Sequence, residues 1–334
     1  MRRLIRGVTV FALIWAGWWV FASHSLQASM EQWLSDRRAE GWQAETSGIE
    51  SSGFPFFLQK TLVAPALADP ETGVAFSTSA LELRAPVLWP GYVTLSFPPD
   101  EIVLASPQGQ QAINAEGARA ELRLKPGTAL ELEEMALTSG AWSLTAPEGS
   151  LMAAQGLTLR LRQNEDLALA YDLTFEAPAF QPGTIPRSAL RIPADWPLAF
   201  DTLSLDATVV FDRVIDRAII EEARPQPTRL DLRVLEAVWG TLLLRASTDL
   251  NVSPDGRLTG DLSLQARNWR GLLDLADAAG TVPPALLPQI ESVLQALAQG
   301  TGNPDTIDVT LSLRDGRAFL GFIPLGPAPR IILR

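Results

Sequence analysis

Histidine and cysteine carry much of the proton transfer, thiol chemistry and zinc binding in proteins, and this chain has one histidine, His24, and no cysteine. One imidazole without a thiolate excludes the usual zinc clusters and leaves no Ser-His-Asp triad in the rest of the chain. Disulfides and cysteine nucleophiles are excluded with them. Carboxylates are the next groups that could hydrolyse a bond or hold calcium. Glu133-Glu134 and Glu221-Glu222 are adjacent pairs, and neighbours point to opposite faces of a strand or diverge by about 100° on a helix. Neither pair makes a dyad by itself. Asp305, Asp308 and Asp315 lack the spacing of a calcium loop. No G-x-S-x-G elbow, phosphate loop or dinucleotide fingerprint occurs. The expectation is a protein that is not an enzyme, with no catalytic, cofactor-binding or metal-binding residues and no cofactor.

Charge narrows the partners. The net charge is −11 and the isoelectric point is near 4.7, which argues against nucleic acid, since that needs a basic footprint. Of the 27 basic residues, only Lys60 and Lys125 are lysine, and the arginines are scattered. The same balance argues against broad adhesion of the bulk of the chain to an anionic membrane face.

The N-terminus points to a membrane in another way. Arg2, Arg3 and Arg6 precede an apolar run from Gly7 to Ala22, and no charge follows until Glu31. The run is long for a secretory signal and slightly short for a spanning helix. "LQA" at 26–28 is the nearest thing to a cleavage site, with a bulky Leu at its first position. Trp15, Trp18 and Trp19 stand where an interfacial aromatic belt would lie, and the uncharged 23–29 segment can extend the span. The expectation is an uncleaved anchor over 1–29, with its basic start in the cytoplasm and the bulk on the other side. "SMEQWLSDRRAEGW" then predicts a juxtamembrane amphipathic helix over 30–43, with Met30, Trp33 and Leu34 on one face and Gly41 as its stop.

From Ala44 onward the period is two. In "ARAELRLK", Ala118, Ala120, Leu122 and Leu124 oppose Arg119, Glu121, Arg123 and Lys125. "LTLRLR" (157–162), "LALAYDLTFE" (167–176), "LSLDATVVF" (203–211) and "IDVTLSLR" (307–314) repeat the pattern. Such alternation predicts antiparallel strands with one dry face. Ser253-Pro254-Asp255-Gly256 and Asp315-Gly316 read as hairpin turns. Helical spacing returns only at 269–279 and at 285–299, where Leu286, Leu287, Ile290, Val293, Leu294 and Leu297 form a stripe ended by Gly300. The fold class is therefore mainly β: extended antiparallel sheet, with an N-terminal transmembrane helix and one or two C-terminal helices. The β domain runs over 44–334, with a division into two β halves near 200 left open.

Every one-faced strand must bury its apolar side against something. Roughly a dozen strands face about two helices, too few to cover them. Either the sheet closes on itself as a sandwich, or it curls into a groove whose dry face takes an apolar ligand. In the second case Leu122, Leu124, Leu159, Leu161, Leu244, Leu262 and Leu311 line the groove by apolar contact, and the partners are the inner membrane and a phospholipid or acyl chain. In the first case the protein is a non-catalytic scaffold for an envelope protein partner.

Several stretches carry a resemblance. The basic, Trp-rich start, "EQWLSDRRAEGWQAE", "SGFPFFLQKTLVAPALADPETGVAF", "PADWPL", "VWGTLLLRASTDLNVSPDGRLTGDLSLQARN" and "RDGRAFLGFIPLGPAPRI" are similar to domain-of-unknown-function family 2125. That family comprises anchored proteins of alphaproteobacteria, and the similarity spans nearly the whole chain. More distantly, one anchor followed by extended β structure resembles AsmA-like envelope proteins. That resemblance implies an inner-membrane protein with a periplasmic bulk, associated with grooves for phospholipid and with envelope assembly.

Overall fold

A computed structural model describes residues 1–221, 224–280, 282–300 and 302–333. Helix α1 covers Arg2–Ala39 without interruption. The anchor and the amphipathic helix expected separately are thus one element, because the 23–29 segment between them has neither proline nor glycine to break it. Gly41, at a φ of 94°, ends it. Its N–H donates to Arg38 O and that of Trp42 to Arg37 O, the paired bonds of a Schellman stop.

Among the described residues the strands form two antiparallel sheets, one of eight and one of fifteen. Eight successive segments (43–52, 57–69, 74–86, 92–106, 109–124, 132–146, 149–163 and 170–182) each place one half in each sheet. The change of sheet happens across joints of a few residues. Ala64, Gly117 and Ala179 take positive φ there. Backbone hydrogen bonds continue through the joints, as from Ala64 N–H to Ser79 O and from Glu116 N–H to Ala141 O. The two sheets are therefore one hydrogen-bonded surface folded along a crease. From Thr202 onward the chain adds seven strands to the longer sheet alone, ending at Ile323–Pro327.

Pairing register shows which side chains share a face. Lys60, Leu83, Leu95, Ala120, Leu137, Leu159, Phe175, Leu205, Leu235, Ala246, Leu264 and Val309 stand directly opposite one another across twelve consecutive strands. One apolar row thus crosses the longer sheet, interrupted in type only by Lys60. The other face carries paired charges, including Arg229 with Asp249 and Arg245 with Glu236 at 2.6 Å. In the shorter sheet Ala44, Leu67, Phe76 and Leu104 form a matching row.

Helices close the two ends of this folded sheet. At the start, α1 packs against Gln43–Glu45 of the shorter sheet and Phe57–Val63 of the longer. The stripe Trp15, Trp19, Ser23, Leu34 and Arg37 faces the domain, with the last three buried. At the other end, α4 (Trp269–Ala278) and α5 (Leu287–Gly300) cover the inner face of the final strands; the short helices α2 (Thr184–Ala189) and α3 (Ala218–Glu221) precede them in the chain. Trp269, Ile290, Leu294 and Ala298 pack there against Ala266, Ile307 and Val309. Both helical spans follow the periodicity of the sequence closely. Asp315 and Gly316, at φ of 52° and 72°, make the expected two-residue hairpin turn, and the 253–256 turn joins the strands on either side of it.

Candidate functional site

Between the two helical ends lies an apolar trough. From Leu83 to Leu235 the row crosses eight strands, roughly 34 Å at about 4.8 Å per strand. Its members in this stretch are half-buried, neither sealed nor fully open to water. A closed sandwich would bury side chains of both sheets together. Among the described residues, the three buried apolar clusters draw only on the longer sheet and on the helices, loops and C-terminal tail packed against it.

All seven leucines singled out by alternation are half-buried, but they do not form one group. Leu122, Leu124 and Leu161 pack beside Leu132, Tyr171, Phe211 and Ile215. The hydroxyl of Tyr171 accepts from Ile215 N–H at 3.1 Å and donates to Leu132 O at 3.4 Å, fixing that corner. Leu244 and Leu311 lie against the cluster under α4 and α5. Leu262 stands opposite Leu311 in the register, and Leu159 sits mid-row between Leu137 and Phe175. Leu159 thus stands mid-row between the two helical ends, whereas Leu244 and Leu311 lie under the C-terminal helices.

The acidic residues stay apart from this row. Arg123 stands 3.8 Å from Glu133 and 3.6 Å from Glu134, and Arg270 lies 3.6 Å from Asp305. Glu222 lies outside the described residues. Among the described residues, no group of three or more His, Cys, Asp or Glu side chains converges on a point. His24 is exposed on α1.

Two features escaped the sequence reading. The first is Lys60, completely buried at the anchor end of the row. Its ammonium donates to Ser23 Oγ at 3.1 Å, Gln27 Oε1 at 3.3 Å and Ser51 Oγ at 2.5 Å, so it ties α1 to the first hairpin. Burial pulls its pKa below the ordinary lysine value of 10.5, with the charge of Glu31 acting the other way. The signal was present: Lys60 occupies an inward position between Leu58 and Leu62. The second is an aromatic plug where the shorter sheet ends. Trp239 stacks on Phe200 at 4.6 Å, meets Trp196 edge-on at 5.0 Å, and donates to Pro197 O at 2.8 Å.

A base with a depressed folded-state pKa binds fewer protons folded than unfolded between its two pKa values. Stability therefore rises with pH through that window, up to about 10.5. Tyr171, which burial pushes up from 10.0, works in the opposite sense above that value. Denaturation of the chain and of Lys60→Met across the alkaline range should show the rising slope only in the former. Equal slopes would remove Lys60 from the account.

These features define a class: a β trough built from a creased antiparallel sheet, capped by helices, with an N-terminal helix long and apolar enough to cross a membrane. A family model matches residues 19–329, and the chain belongs to that family, domain-of-unknown-function family 2125, described as uncharacterised proteins conserved in bacteria. A search of curated proteins found no match. The stretches that carried the resemblance fall at the ends of the trough. The 53–57 loop meets α1 through Trp15 and Trp19, "PADWPL" supplies Trp196 and Pro197 to the plug, and Arg330 near the C-terminus bridges to Arg257 of the 253–257 turn.

Proposed function

We propose that this is a membrane-anchored, non-catalytic protein whose trough holds an acyl chain and assists lipid handling in the bacterial envelope. The observation that carries the reading is the uncapped apolar row between α1 and the C-terminal helices. Its ~34 Å exceeds the ~15 Å that one acyl chain covers in half of a ~30 Å hydrocarbon core. The row offers apolar contact with no polar group until Lys60, which suits a chain of methylenes and favours no particular headgroup. Arg2, Arg3 and Arg6 ahead of the apolar run support, by the positive-inside rule, a cytoplasmic N-terminus with the trough on the periplasmic side of the inner membrane.

Photo-crosslinking tests the reading. The full chain in vesicles containing a phospholipid with a diazirine at its acyl terminus should carry adducts on Leu137, Leu159 or Phe175 after irradiation. Adducts confined to α1 and the hairpin loops would reject an acyl-binding trough and leave a tethered scaffold.

A further inference from the structure

The two free edges of the folded sheet, opposite the crease, differ in character. Along the shorter sheet the hairpin turns are Pro70–Gly73, Pro107-Gln108 and Pro147-Glu148, and Val74 is the one large apolar residue exposed beside them among the described residues. Along the longer sheet, successive loops expose Phe54 and Phe56, then Leu88 and Trp89, then Leu130, then Leu167. The two loops nearest α1, 53–56 and 87–91, hold no charged residue, whereas the later ones contain Lys125, Glu165 and Asp166. Phe56 is 67% exposed and Leu88 73%, and no cluster of the fold takes them up.

The height of these loops along α1 decides what covers them. Trp15 Nε1 donates to Pro55 O at 2.9 Å, and Trp19 Nε1 to Phe57 O at 2.8 Å. Trp19 meets the ring of Phe54 edge-on at 5.4 Å. The second loop is tied to the first through Val87 N–H and Phe56 O at 3.0 Å. Trp15 and Trp19 lie inside the apolar run of α1, nine and thirteen residues beyond Arg6. With Arg6 at the far surface, ~1.5 Å per residue and a hydrocarbon core of ~30 Å put those positions roughly 10 to 17 Å below the surface on the domain's side, deeper than the interfacial belt expected for them from the sequence. A helix that spans the bilayer must therefore carry the 53–57 loop into the same leaflet. The loop suits that place: both tryptophan N–H groups satisfy backbone carbonyls that lipid cannot, and the N–H groups of Phe56 and Phe57 turn back to Gly53 O.

We infer that the anchor-proximal loops 53–56 and 87–91 insert into the acyl region of the leaflet facing the domain, so that the edge of the trough wall is embedded in lipid beside α1. This rests on α1 spanning the membrane. The fluorescence test below separates the two claims. The chain's lack of cysteine makes single-cysteine variants clean. Phe11→Cys reports on the helix, Phe56→Cys and Leu88→Cys on the loops, and Gln108→Cys on the opposite edge; all four positions are exposed, so folding tolerates the change. Each full-length variant, labelled with an environment-sensitive nitrobenzoxadiazole, is reconstituted in phosphatidylcholine–phosphatidylglycerol vesicles with or without acyl-brominated lipid. The inference expects labels at 11, 56 and 88 to lose most of their fluorescence to bromine and the label at 108 to keep it. Quenching at 11 without quenching at 56 and 88 overturns the inference and leaves the anchor standing. No quenching at 11 overturns the anchor and the inference together, and quenching at 108 overturns the sidedness.

Discussion

Leu159→Arg should cut acyl-chain crosslinking within the trough by roughly tenfold or more while leaving the protein folded. Leu159 stands mid-row between Leu137 and Phe175 and belongs to none of the buried clusters. A guanidinium there displaces some three methylenes of a bound chain, each worth about 0.8 kcal/mol of burial, and roughly 1.4 kcal/mol corresponds to tenfold in affinity. The charge keeps its hydration in the half-open row, so the folded state loses little. Thr174→Arg is the control, because Thr174 lies on the outer face beside Arg160. The measurement is adduct yield per chain at matched lipid content, with the thermal midpoint of each variant alongside. Equal yields for the two variants would place the lipid somewhere other than this row.

Trp269→Ala should give the largest loss of stability from a single side chain. Trp269 is 1% exposed, at the centre of the cluster joining α4 and α5 to the last strands. Its Nε1 donates to Pro304 O at 3.0 Å, and the Arg270 guanidinium lies 4.3 Å from its ring centre. Truncating a buried aromatic costs about 3–5 kcal/mol, and the hydrogen bond adds about 1 kcal/mol. At ~2 °C per kcal/mol for a chain this long, the midpoint should fall by roughly 8–12 °C. Limited proteolysis should then open the 269–305 region first. Trp269→Phe keeps most of the ring and loses the hydrogen bond, so its midpoint should fall between the two. A Trp269→Ala midpoint within a degree or two of the parent would show that α4 and α5 are held by other contacts.

The sequence stated the wall of the trough more plainly than its shape. Leu157, Leu159 and Leu161 against Thr158, Arg160 and Arg162 specify a one-faced strand wherever they fold. Asp315-Gly316 specifies a tight hairpin because both residues accept positive φ. The crease was hidden because a bend and a hairpin turn use the same residues. Glu116-Gly117-Ala118 and Gly140-Ala141 look like turns, and only pairing with neighbouring strands sends the chain onward into the second sheet instead of back. The burial of Lys60 was hidden by residue type, since a lysine in a strand is ordinarily on its wet face. Here α1 brings Ser23 and Gln27 over it, a contact 33 to 37 residues away in the chain. All seven candidate leucines are half-buried. Which of them lie beneath the C-terminal helices depends on where 269–300 folds back, and periodicity within a strand holds no information about that.

The creased sheet also makes the length of the wall a matter of counting. Strands leaving the free edge of the longer sheet start at Phe57, Tyr92, Leu132 and Ala170, which are 35, 40 and 38 residues apart. Each such unit contributes two rungs to both sheets and touches the units before and after it, while α1 with Lys60 and α4 with α5 engage only the terminal rungs. Gain or loss of one unit would alter the span by about 10 Å and leave both end assemblies with their own residues. Reach is therefore a modular quantity in this architecture, adjustable by duplication without redesign of either terminus.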